Sequence, residues 1–354
     1  MSADQSAADL AGDRADAEGI VERVRARGGA ATIYDVAELA GVSPSTVSRA
    51  LNKPGRISAG TEARIRAAAS RLSLRLNPMA RALHTGRTRT LALVVADITN
   101  PMIFDIVRGA EHTAKTHDYT LVIAESQESG EAESEAIERL LPSVDGIVLA
   151  TTRLSTLRIQ EIARQKPTVV INRAVEGVPG ILPDVRGGVE QLVGHLAALG
   201  HRSVAYLSGP ETSWISERRW EHLLEATERN DIALVEIGPN QPTIAGGKAA
   251  LRRVLAARTT AVVAFNDLIA IGLVQAAASE GVAVPDRFSV AGFDDIFGSE
   301  LIVPALTTVR SQLVLAGDRA VHRLLTDLGE TEPADDLELL ETELVPREST
   351  GPAR

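Results

Sequence analysis

The run Thr32 to Asn52, TIYDVAELAGVSPSTVSRALN, constrains this chain more than any other stretch, because its residues prescribe two short helices and the turn between them. Thr32 suits an N-cap, and Asp35, three residues on, completes a reciprocal capping box. Val36, Ala37, Leu39 and Ala40 give the first helix a small apolar face. Gly41 permits the left-handed turn that ends it, where a side chain would clash. Ser43 then caps a second helix with Pro44 at its first position, where a missing N–H costs nothing. Two short helices around a glycine turn form the helix-turn-helix pattern, whose second helix enters the major groove. Ser45, Thr46, Ser48 and Arg49 supply the polar face such a helix needs, while Val47, Ala50 and Leu51 are left to pack inward.

Charge follows the same division. The chain is acidic at −10 overall, yet residues 31–90 hold ten Lys or Arg against three Asp or Glu, a net of +7. Residues 1–30 carry −2 and residues 91–354 carry −15. A compact basic head on an acidic body is the footprint of a DNA-binding module. Arg56, Arg64, Arg66, Arg71, Arg75, Arg81, Arg87 and Arg89 are expected to touch phosphates, which fixes register and makes binding depend steeply on salt.

The motif DVAxxAGVSxxTVSRxLN, as it stands here, resembles the reading head of the lactose/galactose-repressor family of bacterial transcription regulators. The resemblance runs from about Thr32 to the C-terminus. It implies DNA contacts from Thr32 and Tyr34, from Ser43, Pro44, Ser45 and Thr46, and from Ser48, Arg49 and Asn52. Ser58 caps a third helix, with Ile65, Ala68, Ala69 and Leu72 at helical spacing. By resemblance, Asn77 to Leu83 is a hinge helix that folds when two subunits meet on an operator. There Leu83 would wedge into the minor groove, Ala80 would pack on its dimer mate, and Asn77 would help hold the DNA. The alternative is that Leu83 packs on the body as a linker leucine. Ser73, Leu74 and Leu76 depart from the glycine, tyrosine and proline common in the family.

From Thr90 the pattern becomes alternating strands and helices. LALVVAD, TLVIAES, DGIVLAT and TVVIN are short continuous apolar strands, and SVAYLSG, ALVEIG, AVVAFND and FSVAGFDD form a second set. Alternation of this kind implies two doubly wound parallel sheets. The resemblance adds that they form two lobes like those of a periplasmic sugar-binding protein, with an effector between them. Physics also places ligands beyond the carboxyl ends of such strands. Polar residues gather there: Asp97, with Asn100 just beyond it, then Asn172 with Arg173, and Asn266 with Asp267, and Asp294 with Asp295. Gln312 lies at the last crossover. Arg219 matches the family's effector-binding arginine, with Trp220 beside it as a stacking surface. Asp97, Asn172, Arg173, Arg219, Trp220, Asn266, Asp294 and Gln312 are the expected effector residues. Acceptors plus a bidentate arginine suit vicinal hydroxyls. Asn266, Asp267 and Asp295 equally suit helix caps, and Arg173 suits a lobe–lobe salt bridge. Arg173 together with Arg219 would also suit a phosphate or carboxylate, so a sugar, a sugar phosphate and a nucleobase-type metabolite all stay open as effectors.

Other classes find little support. There is no cysteine, no HExxH, no Gx4GK[ST] and no GxSxG among these residues. Asp294-Asp295 lacks a nucleophile partner, and Arg186-Gly187-Gly188 is too short for a dinucleotide fingerprint. No enzymatic activity, metal or cofactor is expected. No apolar run reaches membrane-spanning length and no signal sequence opens the chain, so a cytoplasmic protein without membrane contact is expected.

The expected architecture is an all-α helix-turn-helix head plus an α/β core of two doubly wound lobes. Residues 1–30 form a flexible extension with at most a fraying helix around Asp13 to Arg27. Residues 31–76 form the head and 77–89 the hinge helix and linker. Residues 90–354 form the effector-binding and dimerisation region, lobe 1 taking about 90–183 plus 312–340 and lobe 2 about 184–311 plus the tail. The acidic stretch Glu332 to Glu343 is expected to add a terminal strand. The expected function is a homodimeric transcriptional repressor that binds a palindromic operator in double-stranded DNA under control of a small-molecule effector. Whether that effector releases or tightens the repressor stays open.

Overall fold

The computed structural model describes residues 18–24, 26–28, 31–52, 56–74, 86–332 and 337–354, and of Asn52 the backbone alone. The chain divides into two compact units, Met1–Gly86 and Arg87–Arg354.

In the first unit, helices α1 (Ile33–Ala40), α2 (Pro44–Asn52) and α3 (Ala59–Arg71) close a small core around Val36, Val47 and Ile65, all fully buried. The capping box forms: Asp35 N donates to Thr32 Oγ1, and Thr32 N donates to Asp35 Oδ2 at 2.8 Å. Gly41 takes φ 63°, the left-handed value that ends α1. Ser43 Oγ accepts from Thr46 N at the start of α2, and Ser58 Oγ accepts from Thr61 N at the start of α3.

The extension differs from expectation. Residues 18–24 are helical, and Ile20 and Val24 are buried in the same core as α1 to α3. Arg23 pairs with Glu38 at 2.6 Å and Arg27 with Asp35 at 2.7 Å. An apolar i,i+4 pair is enough to seat one helical turn on a neighbour, and average composition over thirty residues dilutes such a signal.

The second unit contains two six-stranded sheets. One holds β1 (Thr90–Val95), β2 (Thr120–Glu125), β3 (Gly146–Ala150), β4 (Thr168–Ile171), β5 (Gly180–Pro183) and β11 (Leu337–Leu340), in the order β11-β5-β4-β3-β1-β2. The other holds β6 (Ser203–Leu207), β7 (Ala233–Ile237), β8 (Ala261–Ala264), β9 (Ser289–Asp294), β10 (Thr307–Ser311) and β12 (Thr342–Val345), in the order β12-β10-β9-β8-β6-β7. The two orders are the same, although no sequence repeat joins the halves. Every pairing is parallel except β10 with β12. Central strands such as β3 and β8 are buried along their whole length, as sheets covered on both faces require. The acidic tail supplies a strand to each sheet rather than to one.

The chain passes between the lobes at Asp184, Gln312 and Glu341, and these passages are tied together. Asp184 N donates to Leu340 O at 2.7 Å, Thr342 Oγ1 to Asp184 O at 2.8 Å, and Gln312 Nε2 to Glu341 O at 3.2 Å. In lobe 1, α4 (Met102–Thr116) lies against α11 (Leu313–Asp327) backbone to backbone. A Cβ on Gly109 would fall 1.9 Å from Val314 O, and one on Gly317 would fall 2.0 Å from Ile106 O. Arg87 and Arg89, expected at phosphates, are instead engaged by Glu330, and Arg89 also lies over the Tyr119 ring. Beside them, the Asp145 carboxylate accepts from Thr88 N, Thr88 Oγ1 and Arg89 N at 2.8 to 2.9 Å, which fixes the start of lobe 1. No helix among the described residues is long and apolar enough to cross a membrane.

Candidate functional site

The expected site residues fall mainly on two faces. On the head, α2 turns Val47 and Ala50 inward and leaves Ser45 and Arg49 exposed, with Thr46 and Ser48 half-buried. Ser43 is spent as a cap: its Oγ lies 2.8 Å from Ser45 Oγ and 2.9 Å from Thr46 Oγ1. Pro44 opens the helix, and Tyr34 stands out from α1 at 68% exposure. Asp35, beneath them, shapes the head from inside. Burial pushes its pKa up, but the Thr32 hydrogen bonds and the Arg27 guanidinium outweigh that and hold it below the usual value. Asn77, Ala80 and Leu83, expected in the hinge, lie outside the described residues, as do Arg75 and Arg81.

The second face is the cleft between the lobes, at the carboxyl ends of β1, β3 and β8. In a sheet of order 2-1-3-4-5, the crevice opens where the strand order reverses, here beside β1 and β3 in one lobe and β6 and β8 in the other. Asp97, Asn100, Glu128, Thr151, Arg153 and Asn172 line it from lobe 1, with Met102 and Ile103 as apolar wall. Ile215, Arg219, Phe265, Asn266 and Asp294 line it from lobe 2. The two walls approach closely, leaving a narrow cleft between them.

Arg219 forms the floor. It sits on α8 (Trp214–Arg229), with its side chain 5% exposed between the rings of Phe265 and Phe293. Its guanidinium donates to Phe265 O and, at 3.1 Å, to Asp294 Oδ1. Arg219 Nε is buried without a hydrogen-bond partner. Asn266 is both cap and wall: its Oδ1 accepts from Ile269 N at the start of α10 (Asp267–Ser279), and its Nδ2 donates to Pro242 O. Asp267 is fully buried behind the floor, accepting from Ser299 Oγ and Thr308 Oγ1, both at 2.6 Å, and from Ile296 N. Burial, then the neighbouring Asp294, push its pKa up to about 7, although its hydrogen bonds pull the other way.

Three expected residues are placed elsewhere. Trp220 stacks on Tyr206 at 6.1 Å, because one residue along α8 turns a side chain by about 100° away from Arg219. Arg173 donates to Leu154 O at 2.6 Å and to Thr156 Oγ1, bonds made within lobe 1 rather than across to lobe 2. Gln312 lines a separate open groove with Asp295 and Arg310, and its amide serves the crossover. Glu128, Thr151 and Arg153 were not among the expected residues. Thr151 and Arg153 carried the same signal as Asp97 and Asn172, since they follow the carboxyl end of the buried strand β3, whereas Glu128 follows β2, which is half-buried to exposed and gave no such signal.

Comparison with known proteins agrees with this fold. Residues 32–75 match the family described as bacterial regulatory proteins, lacI family, and residues 193–350 match the periplasmic binding protein-like domain. The ribose operon repressor of Halalkalibacterium halodurans is 30% identical, over 90% of this chain and 97% of its own. The crystal structure of the lac repressor dimer bound to operator and the anti-inducer ONPF superposes with a TM-score of 0.81 at 27% identity, covering 91% of this chain and all of that one. A LacI family regulator from Enterococcus faecium with bound ribose gives a TM-score of 0.67 at 28% identity, over 75% of this chain and all of its own.

Proposed function

The chain belongs to the lacI family of bacterial regulatory proteins, and from that premise we propose how its residues divide the work. It is a sequence-specific transcriptional repressor whose operator affinity is set by a sugar or related metabolite held between the two lobes. It acts as a homodimer, two heads reading the two halves of a palindromic operator. Residues 31–76 read DNA, 77–89 link, and 90–354 bind effector and dimerise. The observation that carries this is the pairing, in one chain, of an exposed Ser45/Arg49 face on a capped recognition helix with a cleft floored by the buried Arg219–Asp294 pair.

Arg49 reaches guanine edges, and Ser45 and Thr46 set neighbouring positions. In the cleft, the Asp294 carboxylate and the Arg219 guanidinium together match a vicinal diol, which both donates and accepts. The buried, unpartnered Arg219 Nε offers a further donor to a ligand oxygen. An effector held here touches residues of both lobes, so its affinity is coupled to lobe position. That position changes DNA affinity only to the extent that the ligand binds the DNA-competent and incompetent states differently.

The test starts by selecting an operator from random duplex DNA with the purified protein and titrating it with and without candidate sugars. Enrichment of a palindrome, and a sugar-dependent change in its affinity, support the reading. A protein that enriches no sequence is not a sequence-specific regulator.

A further inference from the structure

The lobe-1 wall of the cleft contains a second guanidinium–carboxylate pair. The Arg153 side chain is 5% exposed, and its Nε donates to Glu128 Oε2 at 2.6 Å. Its Nη1 donates to Thr151 O at 2.8 Å. The backbone is fixed as firmly: Arg153 N donates to the buried Glu133 carboxylate at 2.8 Å, and a Cβ on Gly130 would fall 2.9 Å from Arg153 O. Strain marks the same wall. Glu128, Thr151 and Asn172 all lie at φ near +62°, a left-handed conformation that is disfavoured for Glu and Thr side chains. Such positions persist where the surrounding structure holds a functional group in place. Arg153 thus faces the cleft with the rigidity of a reading group.

We propose that Arg153, held by Glu128, is a specificity-determining residue of the effector site, and that it selects uncharged, multiply hydroxylated ligands over their phosphorylated or carboxylated forms. The inference rests on reading the cleft as the effector site. Each guanidinium in the cleft already has its carboxylate, Arg153 with Glu128 and Arg219 with Asp294, and Asp97 adds a further negative group. An incoming phosphate therefore meets no uncompensated positive charge and must displace a carboxylate to gain one. A hydroxyl is both donor and acceptor, so vicinal hydroxyls bridge each pair without breaking it. Met102, Ile103, Ile215 and Phe265 cover the C–H faces of such a ligand.

The test is calorimetric titration of the full-length protein with D-ribose, D-galactose, D-glucose, D-xylulose and cellobiose, each monosaccharide paired with its phosphate ester. At least one neutral compound should bind, and its ester should bind at least tenfold more weakly. Arg153→Gln should weaken the neutral sugar at least tenfold. Glu128→Gln, which removes the carboxylate that Arg153 Nε donates to, should narrow the preference over the ester at least tenfold. Melting curves without sugar report whether each variant folds, and Arg153→Lys, retaining the charge without the fork, should bind between Arg153→Gln and wild type. An ester that outbinds its parent sugar, an Arg153→Gln variant with wild-type sugar affinity, or no binding by any neutral compound overturns the proposal. Arg219→Lys separates the two levels. If it loses sugar binding while Arg153→Gln does not, only the role of Arg153 fails. If neither variant loses it, the ligand binds outside the cleft and the site reading fails with it.

Discussion

Arg49 and Arg219 show how far one guanidinium's surroundings determine its work. Arg49 is exposed on α2, so its value lies in what it meets outside the chain; Arg49→Ala should cost ~1–3 kcal/mol of operator binding and relax one base position, read from affinities across an operator library. A uniform loss on all sequences would instead make it a phosphate contact. Arg219 is enclosed, and removing it outright strands Asp294 in the interior, a loss of about 3–5 kcal/mol of stability. Asp267 offers a pH test. An unfolded aspartate ionises near ~3.9, whereas this one is pushed up to about 7. Between those values the native state keeps a proton that the unfolded chain has released, so this group's contribution falls as pH rises through that window and levels off above it. The groups facing it are Asp294, the Ser299 and Thr308 hydroxyls and the Ile296 amide. Melting temperature should therefore decline less steeply from about pH 5 to about pH 8 in Asp267→Asn than in wild type. Equal slopes would contradict this. Residue by residue, strand-end logic drew Asp97, Asn172, Asn266 and Asp294 to one cleft. Arg173, also at a strand end, turns into lobe 1, and Trp220 and Gln312, expected from their places beside Arg219 and at the last crossover, point elsewhere, because side-chain directions follow helix phase and loop packing that no linear pattern encodes.

Secondary-structure elements were legible where the physical signal was local. The capping box at Thr32 and Asp35, the glycine turn at Gly41 and the continuous apolar strands all appear within a few residues of where spacing puts them. β5 and β10 escaped notice because Gly180–Pro183 is four residues long and Thr307–Ser311 is polar at every position but Val309, its threonines buried by partners far away in sequence. The glycines of α4 and α11 were invisible for the same reason. In isolation each weakens its helix by about 1 kcal/mol relative to alanine, yet here each makes room for a neighbouring backbone. Gly317→Val should lower stability by ~3 kcal/mol or prevent folding of the core, followed by chemical denaturation, whereas a surface glycine such as Gly329 tolerates more. The helical segment at 18–24 is likewise a long-range product. Ile20→Ala should destabilise the head by ~2 kcal/mol through the lost burial against α1. A truncation lacking residues 1–28 should show the same direction of change in the head's melting. No change would mean that the segment does not hold the head together.

Across the whole molecule, the two lobes share one strand order and are joined through a narrow waist, the tied passages at Asp184, Gln312 and Glu341. On the proposed reading, a ligand bridging Arg153 of one lobe and Arg219 of the other favours one lobe arrangement, and linkage then requires DNA to alter ligand affinity by the same factor. The most direct test is fluorescence anisotropy of a labelled operator, titrated with wild type and with Arg219→Lys, each with and without a saturating sugar. The account predicts that sugar shifts wild-type operator affinity by a factor of roughly 5–150, the range of typical allosteric coupling. It predicts that Arg219→Lys binds the same operator without ligand and barely responds to sugar. A variant that responds as fully as wild type would contradict the claim that the cleft controls the head.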